Sequence, residues 1–359
     1  MKKRQWALGL TEALLVLYLI FCSRRALSAG RDGIALCLKT VIPSLFPFFV
    51  LARLLAGSPV AAGLCRLLAP FTEKVFHLPR AAAPALVLGA LGGYPTGAQT
   101  AALLYRQGQL TAKEAEQALS FCSNAGPGFV FGLLGGVFGM TGSALLLAVH
   151  LFSAGLVGYF LRDDSHTPPP DPGPIETGGV TLPQALKESL LAMGSVCSYV
   201  ILFGILSDAL AFGGQGALPQ GLTVVLQGIL ELTGGCAALS SLAGSPWALA
   251  LAGFFLSFGG VCVLCQTKSV ILPAGLTGNR YLRGKLMQAV FSALLLLPFG
   301  GLFPPQKPLE TANTGGNHQG LLAATAWVAL GYVLLFLFFA LHTQKKYGKK
   351  GGKPDGDLL

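Results

Sequence analysis

Glu231 is the residue with the most chemistry to offer. It is the only acid near the middle of a predicted membrane segment, between Leu222 and Leu242, where an ionisable group is expensive unless paired or wetted. Thr233, Gly234 and Gly235 follow it and Gln227 lies one turn before, so the helix is expected to open just beyond the carboxyl. A site for a coupling proton or cation, or a direct substrate contact, is predicted; the structural alternative is an acid hydrogen-bonded across helices.

Two glycine pairs frame a second set of candidates. Gly92-Gly93 and Gly259-Gly260 are each followed, after five residues, by Gln-Thr, at Gln99-Thr100 and Gln266-Thr267, an offset of 167 residues. Each pair divides an apolar stretch into limbs of about 10 residues, too short to span a hydrocarbon core of about 30 Å. Re-entrant hairpins or broken helices are therefore expected at 82–105 and 247–272, and their exposed backbone is tolerated only where it is buried in protein or lines a polar cavity. Paired, glycine-interrupted segments are also the best sequence pointer to a transporter site; close helix packing through small residues is the rival explanation. Gly93, Thr96, Gly97, Gln99 and Thr100 in the first segment, with Gly260, Gln266 and Thr267 in the second, are the candidate substrate contacts. Lys268 is a candidate counter-ion to Glu231 or to an anionic substrate, or else snorkels to the surface.

A further break is expected at Ser123-Asn124-Ala125-Gly126-Pro127-Gly128, ahead of the apolar run Phe129 to Met140. Pro127 brings no N–H and Asn124 can cap, so a half-helix starting here would aim free backbone donors at a carboxylate or phosphate. A helix starting at the interface is the alternative. His150 can relay protons, although a lone membrane histidine more often serves packing. Cys262 and Cys265 form a CxxC with no second pair and no nearby His, and read as small packing residues. No nucleotide-binding, zinc-hydrolase or nucleophile motif is present, so no enzyme activity, cofactor or metal is expected.

The elements that must position these residues follow from composition. Of 359 residues 53% are apolar and 11% charged, against about 25% charged in soluble domains. An all-α polytopic membrane protein is predicted, with two structural repeats that each contain a re-entrant hairpin or broken helix. Predicted membrane segments lie near 6–22, 34–56, 82–105, 117–136, 138–161, 186–212, 220–243, 247–272, 286–303 and 320–342, with an interfacial helix at 58–80. The divisions are 1–33 (a membrane helix and basic loop), 34–161 (first repeat), 162–182 (a Pro-rich linker), 183–303 (second repeat) and 304–359 (linker, last helix and basic tail). The net charge of +10 sits at segment ends and in the tails, which reads as topology control rather than nucleic-acid binding. Both termini and the Arg280–Lys285 cluster are expected on the cytoplasmic side, and the acidic linker outside. The lipid bilayer is the expected partner, and the oligomeric state stays open, a homo-oligomer included.

The runs Pro43-Ser44-Leu45-Phe46-Pro47-Phe48-Phe49, Gly92-Gly93-Tyr94-Pro95-Thr96-Gly97-Ala98, Leu110-Thr111-Ala112-Lys113-Glu114-Ala115-Glu116 and Ser123-Asn124-Ala125-Gly126-Pro127 together resemble the YlbJ-like sporulation integral membrane proteins. These belong to the nucleoside-recognition "Gate" group, which is similar to concentrative nucleoside transporters. The resemblance spans about residues 40–300. It implies movement of a small anionic metabolite, dipicolinic acid foremost, across the outer forespore membrane by alternating access. It also implies a substrate site lined by the tips at 92–99 and 259–266 with Ser123, Asn124, Glu231 and Thr233. A nucleoside or nucleobase carrier of the same fold, and a non-transporting sporulation scaffold, are the alternatives.

Overall fold

In the computed structural model the described residues are 2–56, 58–163, 180–213 and 219–306. Most of the Pro-rich linker, the predicted helix 320–342 and the basic tail lie outside them. The described chain is helical, and among its residues five helices are long and apolar enough to cross a membrane, or six if one bent pair is counted as a span. It is an all-α polytopic membrane protein.

Helices α1 (Lys2–Phe21), α2 (Ser23–Leu36) and α3 (Ile42–Ala56) open the chain. The basic stretch expected as a loop at the end of division 1–33 lies inside α2, which a five-residue π turn, Cys37–Val41, joins to α3 in one apolar run, Ser23–Leu55. Arg25 sits in that run because a carboxylate from far along the chain pairs with it, which no local pattern reveals. Helix α4 (Pro59–Phe76), capped by the Ser58 hydroxyl at 3.2 Å from the Ala61 N–H, meets the next helical stretch at 116°.

Helices α5 (Ala83–Gly92) and α6 (Thr96–Arg106) fold back on each other. A Cβ added to Gly97 would lie 3.0 Å from the Gly89 Cα, an approach between residues eight apart that a continuous helix cannot make. Helix α7 (Ala112–Cys122) starts with a capping box, Thr111 and Glu114 binding each other's backbone N–H, which fixes its start. It breaks at 123–126 and resumes as α8 (Pro127–Phe129), a π turn (Val130–Leu134) and α9 (Gly135–Phe160). Gly139, at φ 69° and ψ 173°, divides α9, and the part after it returns along the broken helix so that the Ala125 N–H reaches the His150 Nε2.

Helix α10 (Leu182–Gly213) runs alongside α2 and α3. The segment 220–243, expected to cross, is a second fold-back: α11 (Gln220–Leu230) and α12 (Leu232–Ala238) meet so closely that a Cβ on Gly235 would lie 2.2 Å from the Gly228 Cα. By contrast α13 (Ala248–Phe258) and α14 (Gly260–Ile271), joined at Gly259, do not fold back and form part of one apolar stretch, Ala248–Ala274. Of the two forms expected at 247–272, a re-entrant hairpin or a broken helix, the chain takes the second, a broken span, and the second fold-back lies one element earlier. Helix α15 (Asn279–Leu296) then runs unbroken and packs against α7, α9 and α13.

A fold-back, a broken span and a return helix thus occur twice in the same order. Ala112 and Ala248 start the two broken spans, 136 residues apart. The Gly-Gly-x5-Gln-Thr match at offset 167 pairs a hairpin tip with a broken span, so it does not join equivalent places.

Large apolar side chains such as Leu38, Leu51, Leu190, Leu191 and Leu202 are exposed on the outer faces of the π turn, α3 and α10, as a lipid-facing surface requires. The charged end of the bundle corrects one expectation of sidedness. Asp163, at the start of the linker, lies 2.7 Å from Lys113 and 3.7 Å from Arg280, so the linker leaves from the same side as Arg280 rather than the opposite one.

Candidate functional site

Residues of both fold-backs and both broken spans line one small cavity of about 40 Å³. Gly93 and Tyr94 from the first fold-back, Ala125 and Gly126 from the first broken span, Glu231 and Thr233 from the second fold-back, and Cys262 and Gln266 from the second broken span line it. The backbones touch in pairs. Gly93, at φ 78°, lies against Gly126, and Gly260, at φ 75°, lies against the carbonyls of Gly228, Ile229 and Leu230. A side chain at either position would suffer both the left-handed backbone and the neighbouring chain.

Glu231, 3% exposed, is extended at φ −140° and ψ 121° and forms the N-cap of α12. One carboxylate oxygen accepts the Thr233 N–H at 2.8 Å and the other the Gly234 N–H. The acid thus holds the N-terminus of its own half-helix, where the backbone dipole favours negative charge. It also faces a second, wider cavity of about 510 Å³, lined among others by Arg25, Asp32, Asp208, Thr223 and Gln227, a volume in the range of small-molecule sites. Asp208 there accepts two bonds from Arg25, at 2.8 and 3.0 Å, and one from the Tyr18 hydroxyl at 2.6 Å.

Behind Tyr94 lies a buried polar network that the sequence reading missed. The Lys285 Nζ donates to Gln288 Oε1 at 2.6 Å, to the Tyr94 hydroxyl at 3.3 Å and to Asn124 Oδ1 at 3.4 Å, and no described carboxylate stands within 4 Å of it. Gln288 Nε2 bonds Asn124 Oδ1 and the His150 carbonyl, and the Tyr94 hydroxyl donates to the Leu256 carbonyl at 3.1 Å. Lys285 was expected in a cytoplasmic basic cluster, yet it is 1% exposed. The available signal was the spacing Tyr281, Lys285, Gln288, Ser292, one face of a helix, and all four are buried while Arg283 on another face is exposed. His150 lies 2.8 Å from the Ser257 hydroxyl. Since its Nε2 already accepts the Ala125 N–H, the Nδ1 carries the proton and donates to Ser257, the wrong tautomer for a base acting on that serine.

The remaining predicted residues divide. Thr96, Gln99 and Thr100 line a third small cavity, where Arg53 donates to Gln99 Oε1 at 3.0 Å. Asn124 belongs to the lysine network, and Ser123 is buried without a hydrogen-bond partner. Gly97 and Gly260 serve close backbone packing, and the Thr267 hydroxyl bonds that of Tyr281 at 3.2 Å. Lys268 is half-buried on α14 and lines none of the three cavities, so it does not meet Glu231. No described cluster of His, Cys, Asp or Glu could hold a metal ion.

No family model matches the chain, and no solved structure matches it. Over 325 aligned residues, 79% of this chain and 78% of the relative, it is 27% identical to the sporulation integral membrane protein YlbJ of Bacillus subtilis (strain 168). With its apolar spans, the chain is an integral membrane protein similar to that sporulation protein over most of its length.

Proposed function

We propose that the chain is a secondary-type transporter that moves a small anionic metabolite, dipicolinate foremost, by alternating access during sporulation. The observation that carries this reading is the convergence of two fold-back tips and two broken spans on one cavity beside Glu231. Irregular backbone at membrane depth is costly unless it is buried in protein or lines a polar cavity, and discontinuous helices meeting near mid-membrane are the mark of transporter sites. The half-helices starting at Thr96, Pro127 and Gly260 lack a side-chain cap, so their backbone donors suit carboxylates. In this reading the stretches within 34–161 and 183–303 are the two structural repeats, with the sequence of elements, rather than the Gln-Thr match, as their common feature.

Glu231 is the coupling group. A proton or cation that engages its carboxylate competes with the Thr233 and Gly234 N–H groups, so loading the ion loosens the cap of α12 and links occupancy to the position of the fold-back. The outer forespore membrane is the proposed site of action, and the end carrying Lys113 and Arg280 is proposed to face the cytoplasm.

The test is spore dipicolinate in a strain whose own copy is deleted, complemented by wild type or by Glu231→Gln. Restoration by wild type alone, with equal membrane insertion of both, supports the proposal. Normal dipicolinate in the deletion strain removes the substrate and brings forward a nucleoside carrier or a scaffold; competition by nucleosides in a flux assay separates those two.

A further inference from the structure

We propose that the small cavity between Arg53, Thr96, Gln99, Thr100 and Ser189 is a second carboxylate subsite, and that Arg53 is the gate of the translocation route at that end. This inference rests on the transporter reading above. The three cavities follow one another along the same two helices. On α10, Ser189 and Ala192 line the first, Val196 and Val200 the central one, and Val200, Gly204 and Asp208 the wide one. On the α2–α3 side the order is Arg53 and Phe49, then Phe49 and Leu45, then Leu36 to Arg25. Phe49 belongs to the first two cavities, and Val200 with Glu231 to the last two. From Ser189 to Asp208 this row extends about 28 Å at 1.5 Å per residue, close to the hydrocarbon thickness of about 30 Å.

The row is wide at the Asp208 end, about 510 Å³, and narrows to about 40 Å³ beside Glu231 and about 30 Å³ at the other end. Arg53 is the charged side chain that closes this last end. Its guanidinium donates to Gln99 Oε1 on the first fold-back at 3.0 Å and lies 3.6 Å from the Glu188 carboxylate on α10, with both charged side chains about a third exposed, at 34% and 37%. The same cavity is lined by Ser189, whose wholly buried hydroxyl has no hydrogen-bond partner. The Thr100 and Thr96 hydroxyls already donate to the Thr96 and Gly92 carbonyls, so the donor set for one carboxylate is the forked guanidinium of Arg53 and the unsatisfied serine. A dicarboxylate arriving from the central cavity takes Arg53 from Glu188 and Gln99, frees the fold-back from α10, and satisfies Ser189. The exchange keeps Arg53 paired and leaves the Glu188 carboxylate, 37% exposed and still accepting from Gln184 Nε2 at 3.0 Å, to solvent.

The experiment uses the full chain reconstituted in phosphatidylcholine vesicles, which present no net anionic headgroup. Uptake of pyridine-2,6-dicarboxylate is compared with that of the monocarboxylate pyridine-2-carboxylate for wild type, Arg53→Gln, Glu188→Gln and the exchange Arg53→Glu with Glu188→Arg. Ligand-induced thermal stabilisation reports binding separately from uptake. Expected are a loss of at least tenfold in dicarboxylate kcat/KM for Arg53→Gln, a smaller loss for the monocarboxylate, and no rescue by the exchanged pair although it folds. Rescue to within twofold would reduce Arg53 and Glu188 to a clasp between helices and overturn the proposal, as would unchanged uptake by Arg53→Gln. Absence of uptake by wild type, with thermal stabilisation that requires Arg53, would remove the transporter reading while keeping the subsite; absence of both would remove both.

Discussion

Gly235→Ala discriminates between the fold-back at 220–243 and the straight crossing that its composition suggests. The added Cβ would lie 2.2 Å from the Gly228 Cα and 2.7 Å from its nitrogen. Carbon atoms rest at about 3.5 Å or more, so α11 and α12 would have to part by about 1.3 Å, and neither contact is a flexible side chain that can swing aside. Overpacking of this kind costs about 1–3 kcal/mol, against which alanine gains about 1 kcal/mol over glycine inside a helix. A net loss of up to about 2 kcal/mol is expected, with the Glu231 tip displaced as well. In a straight helix residues 228 and 235 would stand about 10 Å apart along the axis, and the same change would stabilise by about 1 kcal/mol. Thermal unfolding of the purified full chain in detergent reads the sign. Gly221→Ala on α11, where nothing lies within 4 Å of the new Cβ, is the control and is expected to be neutral or stabilising. A midpoint for Gly235→Ala at or above wild type would refute the fold-back.

Lys285→Met removes a buried amine that has no carboxylate partner among the described residues but donates to Gln288, Tyr94 and Asn124, so a loss of about 1–3 kcal/mol is expected from the acceptors left unpaired while dicarboxylate uptake falls at least tenfold; full uptake with a folded variant would show the lysine to be structural. Gly260→Ala meets both a φ of 75° and the Leu230 carbonyl at 3.1 Å, and a loss of about 1–2 kcal/mol is expected, read as a lowered unfolding midpoint. Arg25→Ala breaks a pair whose side chains are 32% and 27% exposed, and because Tyr18 still donates to Asp208, a loss of no more than about 1 kcal/mol, shrinking in high salt, is expected; a loss of 3 kcal/mol would mean that the pair is far better shielded than its exposure indicates.

Composition and apolar length made the membrane class, most spans and the first fold-back legible, and Glu231 stood out because an acid at membrane depth has few other uses. The second fold-back was not legible, since 220–243 is apolar and long enough to cross, and only the contact of Gly228 with Gly235, a tertiary fact, shows that it turns at Glu231. The Gly-Gly and Gln-Thr match misled because glycine serves two needs, a reversal at Gly93 and a break without reversal at Gly259, and spacing alone does not tell them apart. Lys285 was hidden by Arg280 and Arg283, which made a buried residue look like part of a surface cluster until the helical face of Tyr281, Gln288 and Ser292 is counted. Arg53, Glu188 and Asp208 gained their meaning from partners 46 to 190 residues away, which hydropathy does not encode.

The central claim is that the cavity at Glu231 carries a small dicarboxylate across the membrane. The most direct test is uptake of radiolabelled dipicolinate into vesicles holding the purified full chain, wild type against Glu231→Gln, at equal protein and orientation. Saturable uptake by wild type, lowered at least tenfold in the variant while its unfolding midpoint falls by no more than the loss of one cap, about 1 kcal/mol, is the predicted result. Equal uptake by the two proteins, or wild-type flux no greater than that of empty vesicles, would contradict it.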